Sequence, residues 1–131
     1  MQTTTTAFTA EVDEYLRDHF SLTISTSSFT GFPHANTAPF ANDDRLLYFF
    51  APEDSALLKN MAANRNAAFT VDDYSPTWRK QRELHGTGQC GLADESMREA
   101  SYILCTEKLG EPLPEGALCW LEPVGMYFID Y

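Results

Sequence analysis

One stretch of the chain gathers groups able to receive a ligand. Trp78-Arg79-Lys80-Gln81-Arg82-Glu83-Leu84-His85 holds three of the nine basic residues, an indole and a carboxamide. An indole stacks on a ring and cationic side chains neutralise a phosphate, so the combination suits a planar anion. The plain alternative is a solvated hairpin entry whose cations pair with surplus surface acids. Ser55 opens a helical pattern, where first-turn N–H groups can take a phosphate, although most such serines only cap their helix. His19 falls on an apolar helix stripe and reads as a packing residue. His34 opens a strand and His85 precedes a glycine, and either is a candidate proton donor or ligand. Cys90, Cys105 and Cys119 are odd in number and widely spaced, which fits small core side chains better than a disulfide framework or a CxxC site. GxSxG, HExxH, P-loop and GxGxxG patterns are absent, and the many carboxylates read as solvated surface. No catalytic residue and no metal site is assigned.

These groups must be positioned by 131 residues, 44% hydrophobic and 21% charged, which is one domain with a core of its own. Nine Lys and Arg against nineteen Asp and Glu give a net charge of −10. A field of that sign repels phosphate backbones and anionic lipid heads, so neither nucleic acid nor a membrane is an expected partner. The longest apolar run, residues 46–51, is too short to cross a bilayer, and the first eight residues carry no signal-peptide pattern. A soluble, cytoplasmic protein is the expectation.

Residues 1–8 read as a flexible N-terminus and 9–131 as one domain. From Thr9, an apolar stripe of Val12, Tyr15, Leu16, His19 and Phe20 predicts an amphipathic helix. The period then becomes two, with Leu22, Ile24 and Thr26 alternating against Thr23, Ser25 and Ser27. Gly31-Phe32-Pro33 marks a hairpin turn, residues 34–41 a second strand, Asn42-Asp43-Asp44 a turn and residues 46–50 a third strand, together an antiparallel meander. A helix over about 55–64, with Leu58, Met61 and Ala62 on its inner face, leads to a short strand over 67–71. Residues 72–81 form a loop. The strand over 82–92 carries Gly86 and Gly88, the mark of a bulge or a close backbone approach. Asp94 caps a last helix that ends before Gly110, and residues 117–129 close the chain as a strand interrupted at Pro123 and Gly125. Without strict βα alternation this is no doubly wound sheet; it is mainly β with flanking helices, a barrel.

The order of these pieces adds a resemblance. Thr30-Gly31-Phe32-Pro33-His34-Ala35, Leu47-Tyr48-Phe49-Phe50, Ser55 with Asn60-Met61, Asn64-Arg65-Asn66-Ala67-Ala68-Phe69 and Gly86-Thr87-Gly88 follow one another over residues 12–130. This resembles the FMN-binding split-barrel superfamily of pyridoxamine 5′-phosphate oxidase and its small relatives. The resemblance implies a six-stranded antiparallel split β-barrel with short helices, a homodimer, and FMN in a groove at the dimer interface. It carries the FMN contacts onto Asn36 and Thr37, Phe50 and Ala51, Ser55, and Gln81 beside Trp78. The apolar pairs Phe49-Phe50 and Tyr127-Phe128 are the surfaces expected to need a partner subunit.

Departures from the family pattern shape the functional expectation. The family's strand arginine aligns with Asn36, and its S-R-K triplet reads Ser55-Ala56-Leu57, so three phosphate-neutralising cations are missing. Lys59, or Arg79, Lys80 and Arg82, are the groups at hand to replace them, and Leu57→Lys is expected to restore one. The C-terminal R-x-H-x-R segment of the true oxidases is also missing, so pyridoxamine 5′-phosphate oxidase activity itself is not expected. The leading reading is a small FMN-dependent oxidoreductase acting on a small molecule, in which the flavin supplies the redox chemistry. The alternatives are a family member that has lost FMN and serves as a binding or interaction module, and heme binding through His34 or His85.

Overall fold

A computed structural model of the chain describes residues 2–5 (backbone path only), 8–73, 76–77 and 81–131. In order, it forms β1 (Gln2–Thr5), α1 (Ala10–Arg17), β2 (Ser21–Ser27), β3 (Pro33–Asn42), β4 (Leu47–Ala51), α2 (Ala56–Ala63), β5 (Asn66–Asp72), β6 (Arg82–Leu92), α3 (Glu95–Leu109) and β7 (Ala117–Asp130). Six strands in the order β7-β4-β3-β2-β5-β6 close into an antiparallel barrel through β6–β7 pairing. β1, within the segment read as a flexible terminus, runs antiparallel to β7 from Gln2 opposite Ile129 to Thr5 opposite Met126.

The strands follow from the sequence period. On β2, Leu22, Ile24 and Thr26 point into the barrel and Thr23, Ser25 and Ser27 point out. β4 is buried on both faces, which explains its unbroken apolar run. Phe40, Phe49, Leu84, Leu121 and Met126 fill the barrel, joined by Val12, Tyr15 and Leu16 of α1 and Leu57 and Met61 of α2. A smaller cluster of Ala41, Leu46, Tyr48 and Cys105 lies between β3–β4 and α3. Each helix begins at a side-chain cap: Thr9, Ser55 and Asp94 accept from the backbone N–H three residues on.

Two expectations are corrected here. α1 stops at Arg17, so the apolar stripe runs one turn short of Phe20, which is 57% exposed under the Lys108 ammonium. His19, just past the helix, stacks on Tyr15 as a packing residue and its Nε2 bonds the Asp73 carboxylate. Phe49, Phe50 and Phe128 are buried by their own chain, and of these two pairs only Tyr127 stays half-buried, beside the outer face of β6.

The barrel closes where β6 and β7 come unusually near each other. The pairing jumps from Thr87 opposite Gly125 to Gly88 opposite Pro123, leaving Val124 as an extra residue in a bulge. A Cβ on Gly88 would lie 2.1 Å from the Glu122 carbonyl oxygen, whereas one on Gly125 meets nothing within 4 Å. Gly88→Ala should therefore cost about 2–3 kcal/mol, and Gly125→Ala less than about 0.5 kcal/mol. Urea denaturation of the two variants beside wild type measures the difference; equal losses would mean that the closure does not depend on this approach.

Candidate functional site

Over their middle stretch the outward side chains of β2, β5 and β6 (Thr23, Ser25, Ser27, Asn66, Ala68, Thr70, Thr87 and Gln89) are uncharged, and no helix lines the cavities over them among the described residues. Two adjoining cavities of about 420 and 200 Å³ run along this face and share Ser25, Ala68 and Thr87. Thr23 and Thr70 line one end, Asn66 and Gln89 the other, and among the described residues no Asp, Glu, Lys or Arg lines either cavity. In a chain of net charge −10 such a stretch is unlike a solvated surface. Its floor is formed by the short outward side chains of Ser25, Ala68 and Thr87, giving a trough that accepts a flat group.

A polar network closes the His85 end of the trough. The Glu83 carboxylate accepts from Gln81 Nε2 at 2.7 Å, Tyr131 Oη at 2.9 Å and His85 Nε2 at 3.0 Å. With Nε2 donating, the neutral His85 ring leaves Nδ1 as its acceptor, and the ring stacks on Tyr127 with centroids 5.4 Å apart. The bond from His85, and then those from Tyr131 and Gln81, hold the Glu83 carboxyl below the usual carboxylate range against the opposing effect of burial. Sequence reasoning took Gln81 and His85 separately. Their alternation on one strand with Glu83 was the available signal that they share a face.

A family model described as pyridoxamine 5′-phosphate oxidase matches residues 8–130. The chain belongs to that family. No curated protein sequence matches it. Among solved structures it is similar to a putative pyridoxamine 5′-phosphate oxidase from Listeria innocua, 19% identical over 92% of this chain and 97% of that one, with a TM-score of 0.74. A FAD-binding protein from Mesorhizobium loti superposes with a TM-score of 0.71 at 14% identity over 99% of both chains. A FAD- and heme-binding protein from Mycobacterium smegmatis gives 0.75 at 13% identity over 95% of this chain and 71% of that one. At such identities the likeness is one of fold, the split barrel.

The described residues among those implied by the family resemblance lie on different faces of the single chain. Thr37 is exposed and lies beside the trough, opposite Thr23 of β2. Asn36 points the other way, half-buried, and its Oδ1 is buried without a hydrogen-bond partner. Phe50 forms the floor of a different cavity, below α3. Ala51 is fully inside the barrel core, so only its backbone can face a ligand. Ser55 caps α2 with its Oγ already accepting from Leu58 N at 3.3 Å, and Lys59 is exposed one turn on. Gln81 belongs to the Glu83 network, while Trp78 and Lys80 lie outside the described residues.

The replacement cations fare unevenly. Arg82 is occupied: it pairs with Glu11 and Asp130 and its guanidinium lies 3.7 Å from the centre of the Phe128 ring. Leu57 is 1% exposed and part of the core, so a lysine there would bury its charge or unfold the helix instead of meeting a phosphate. Its neighbour Ala56 is exposed at the first turn of α2, which carries no acidic residue. The trough thus fits a planar polar group, while the unpartnered Asn36 oxygen faces away from it. The first turn of α2, outside the trough's lining, offers helix N–H groups and Lys59 as its cation.

The three cysteines are free and buried, and burial pushes Cys90 and Cys105 up to about 11 and Cys119 to about 12, so none is a nucleophile. Among the described residues no group of three His, Cys, Asp or Glu side chains is placed to hold a metal, and no helix is long and apolar enough to cross a membrane.

The Glu83 network has a pH signature. A carboxyl held low in the folded state adds stability above its unfolded pKa of about 4.3, and that contribution disappears as pH falls through the lower folded value. Glu83→Gln should cost about 1 kcal/mol at neutral pH and progressively less as the medium is acidified below the unfolded value. Paired urea titrations near neutrality and in acid check this; a gap of constant size would separate the stability effect from the ionisation of Glu83.

Proposed function

We propose that the protein is a flavin-binding split-barrel oxidoreductase, cytoplasmic and homodimeric, with FMN in the groove where the uncharged faces of two barrels meet. The single observation that carries this reading is the uncharged trough over β2, β5 and β6. A trough lined by no described Asp, Glu, Lys or Arg, with Glu83 tied into a network at its end, suits burial against a second copy of so acidic a chain, because the symmetric contact then brings few like charges together. Family membership and flavin-binding proteins among the structural neighbours support flavin as the ligand class. When bound, the flavin supplies hydride chemistry to a small-molecule substrate.

The chain's own part is to bind, orient and exclude water. Thr23, Ser25 and Thr87 offer hydroxyls along the trough. The first-turn N–H groups of α2, beside Ser55 and Lys59, favour the phosphate by about 0.3–1 kcal/mol. Charge-assisted contacts of the kind missing here contribute about 1.5–3 kcal/mol each, so binding is weak and sensitive to salt. That deficit also favours the second reading, a family member that has lost FMN and uses the same face only for association. The engagement of Arg82 with Glu11 and Asp130 is the specific observation on that side.

Titrating FMN and FAD while following flavin fluorescence and absorbance separates the two readings. Saturable binding is expected, with Ala56→Arg tightening FMN about tenfold at low ionic strength and less at higher salt. A preparation that stays colourless and leaves FMN fluorescence unchanged overturns the flavin reading and leaves the association module.

The dimer has its own test. Ala68 is exposed at the centre of the trough. Ala68→Arg should leave the fold intact and convert the expected dimer to monomer in sedimentation velocity. A wild-type protein that already sediments at 14.7 kDa at micromolar concentration would rule out the shared groove.

A further inference from the structure

A separate cavity of about 390 Å³, sharing no lining residue with the trough, lies among β4, the end of β6, the first half of α3 and the segment over 110–118. Its apolar walls are Phe50, Leu92, Tyr102, Leu113 and Leu118. Leu92 and Tyr102 remain 59% and 43% exposed at its rim, which leaves a slot open for an apolar body. The shape depends on Gly116. Its φ is +147°, and a Cβ there would fall 2.2 Å from the Phe50 ring and 2.5 Å from the Ala51 carbonyl oxygen, so only glycine lets the segment pass over Phe50.

Two charges face this slot from different elements, Arg98 from α3 and Glu53 from the turn between β4 and α2. They form no ion pair with each other. Among the described residues, Glu53 makes no hydrogen bond, and Arg98 only reaches the Ala93 carbonyl at 3.5 Å. Asp94, one turn before Arg98, directs its carboxylate to its own helix start, accepting from Met97 N and Ser96 Oγ. A slot with apolar walls and unpaired opposite charges selects by elimination. A simple anion meets Glu53 and the field of an acidic protein, a simple cation meets Arg98, and a neutral hydrocarbon strips water from both charges without replacing it. A molecule carrying both charges on an apolar body satisfies every wall.

We propose that this cavity binds a zwitterion, an α-amino acid with an aromatic or long aliphatic side chain, its carboxylate on Arg98, its ammonium on Glu53 and its side chain between Phe50, Tyr102 and Leu118. The volume lies within the ordinary range for small-molecule sites, about 300–1,000 Å³. The site stands whether or not the trough holds a flavin.

L-Phenylalanine, phenylacetate and 2-phenylethylamine are titrated into wild type, Arg98→Gln and Glu53→Gln, followed by calorimetry and by NMR shifts of the Phe50, Tyr102 and Leu118 signals. Both substituted side chains lie on the surface, so circular dichroism should show unchanged folds. Wild type should bind L-phenylalanine saturably, about tenfold more tightly than either single-charge analogue, with shifts centred on the slot. Each substitution should weaken L-phenylalanine about tenfold, and Glu53→Gln should bind phenylacetate as well as it binds L-phenylalanine. Absence of saturable binding, shifts centred elsewhere, or an affinity that either substitution leaves unchanged overturns the proposal.

Discussion

The close approach of β6 to β7 is the contact on which the rest of the molecule depends. β7 spans Ala117–Asp130 and pairs with β4 along its first part, with β1 along its last and with β6 throughout. A strand shared among three neighbours must bend, and it does so at the Pro123–Gly125 bulge. Pro123 has no donor to lose there, and Gly88 has no side chain to stand in the way. Without that bend the sheet would stay open, and the side chains of β2, β3 and β4 would have no opposite wall to pack against.

Closure divides the outside of the barrel into two unlike regions. Over β3 and β4, α3 lays down Cys105 and completes a second apolar cluster, so the outward residues of β4 are as buried as the inward ones. Over β2, β5 and β6 nothing is laid down, and the strands carry hydroxyls, alanine and glycine. The bare region is the one proposed for association and a flat ligand. The covered region leaves its slot at the edge, where α3 begins and the 110–118 segment crosses Phe50. The two candidate sites therefore reflect one decision of the fold: which part of the sheet receives a helix.

Electrostatics sharpens both sites. Nineteen acids surround nine cations, and several cations are already engaged: Arg17 by Asp13, Arg82 by Glu11 and Asp130, and Lys108 by the Leu16 carbonyl over the Phe40 ring. Burial draws Lys108 down to about 8, well below an ordinary lysine, because its ammonium has no acid partner to offset the lost water. Among the described residues Arg98 forms no ion pair and has a cation to offer.

Local pattern was enough to read the elements. The period-two alternation of β2, the continuous apolar run of β4, the caps at Ser55 and Asp94, and the paired glycines of β6 each act within a few residues, and each is where the sequence predicts it. Their order also carried the family and the barrel. What the pattern could not give is which neighbour each side chain meets. Leu57 reads as a position for a phosphate-binding cation until packing turns it into the core, and Arg82 reads as a free cation until Glu11, 71 residues away, is brought beside it. Phe49 and Phe128 read as partner surfaces until barrel closure buries them, and Gln81, Glu83 and His85 become one network only when β6 holds them on one face with Tyr131. Those outcomes depend on contacts between distant strands. Elements are set by local sterics and hydrogen bonding, whereas partners are set by closure of the chain on itself.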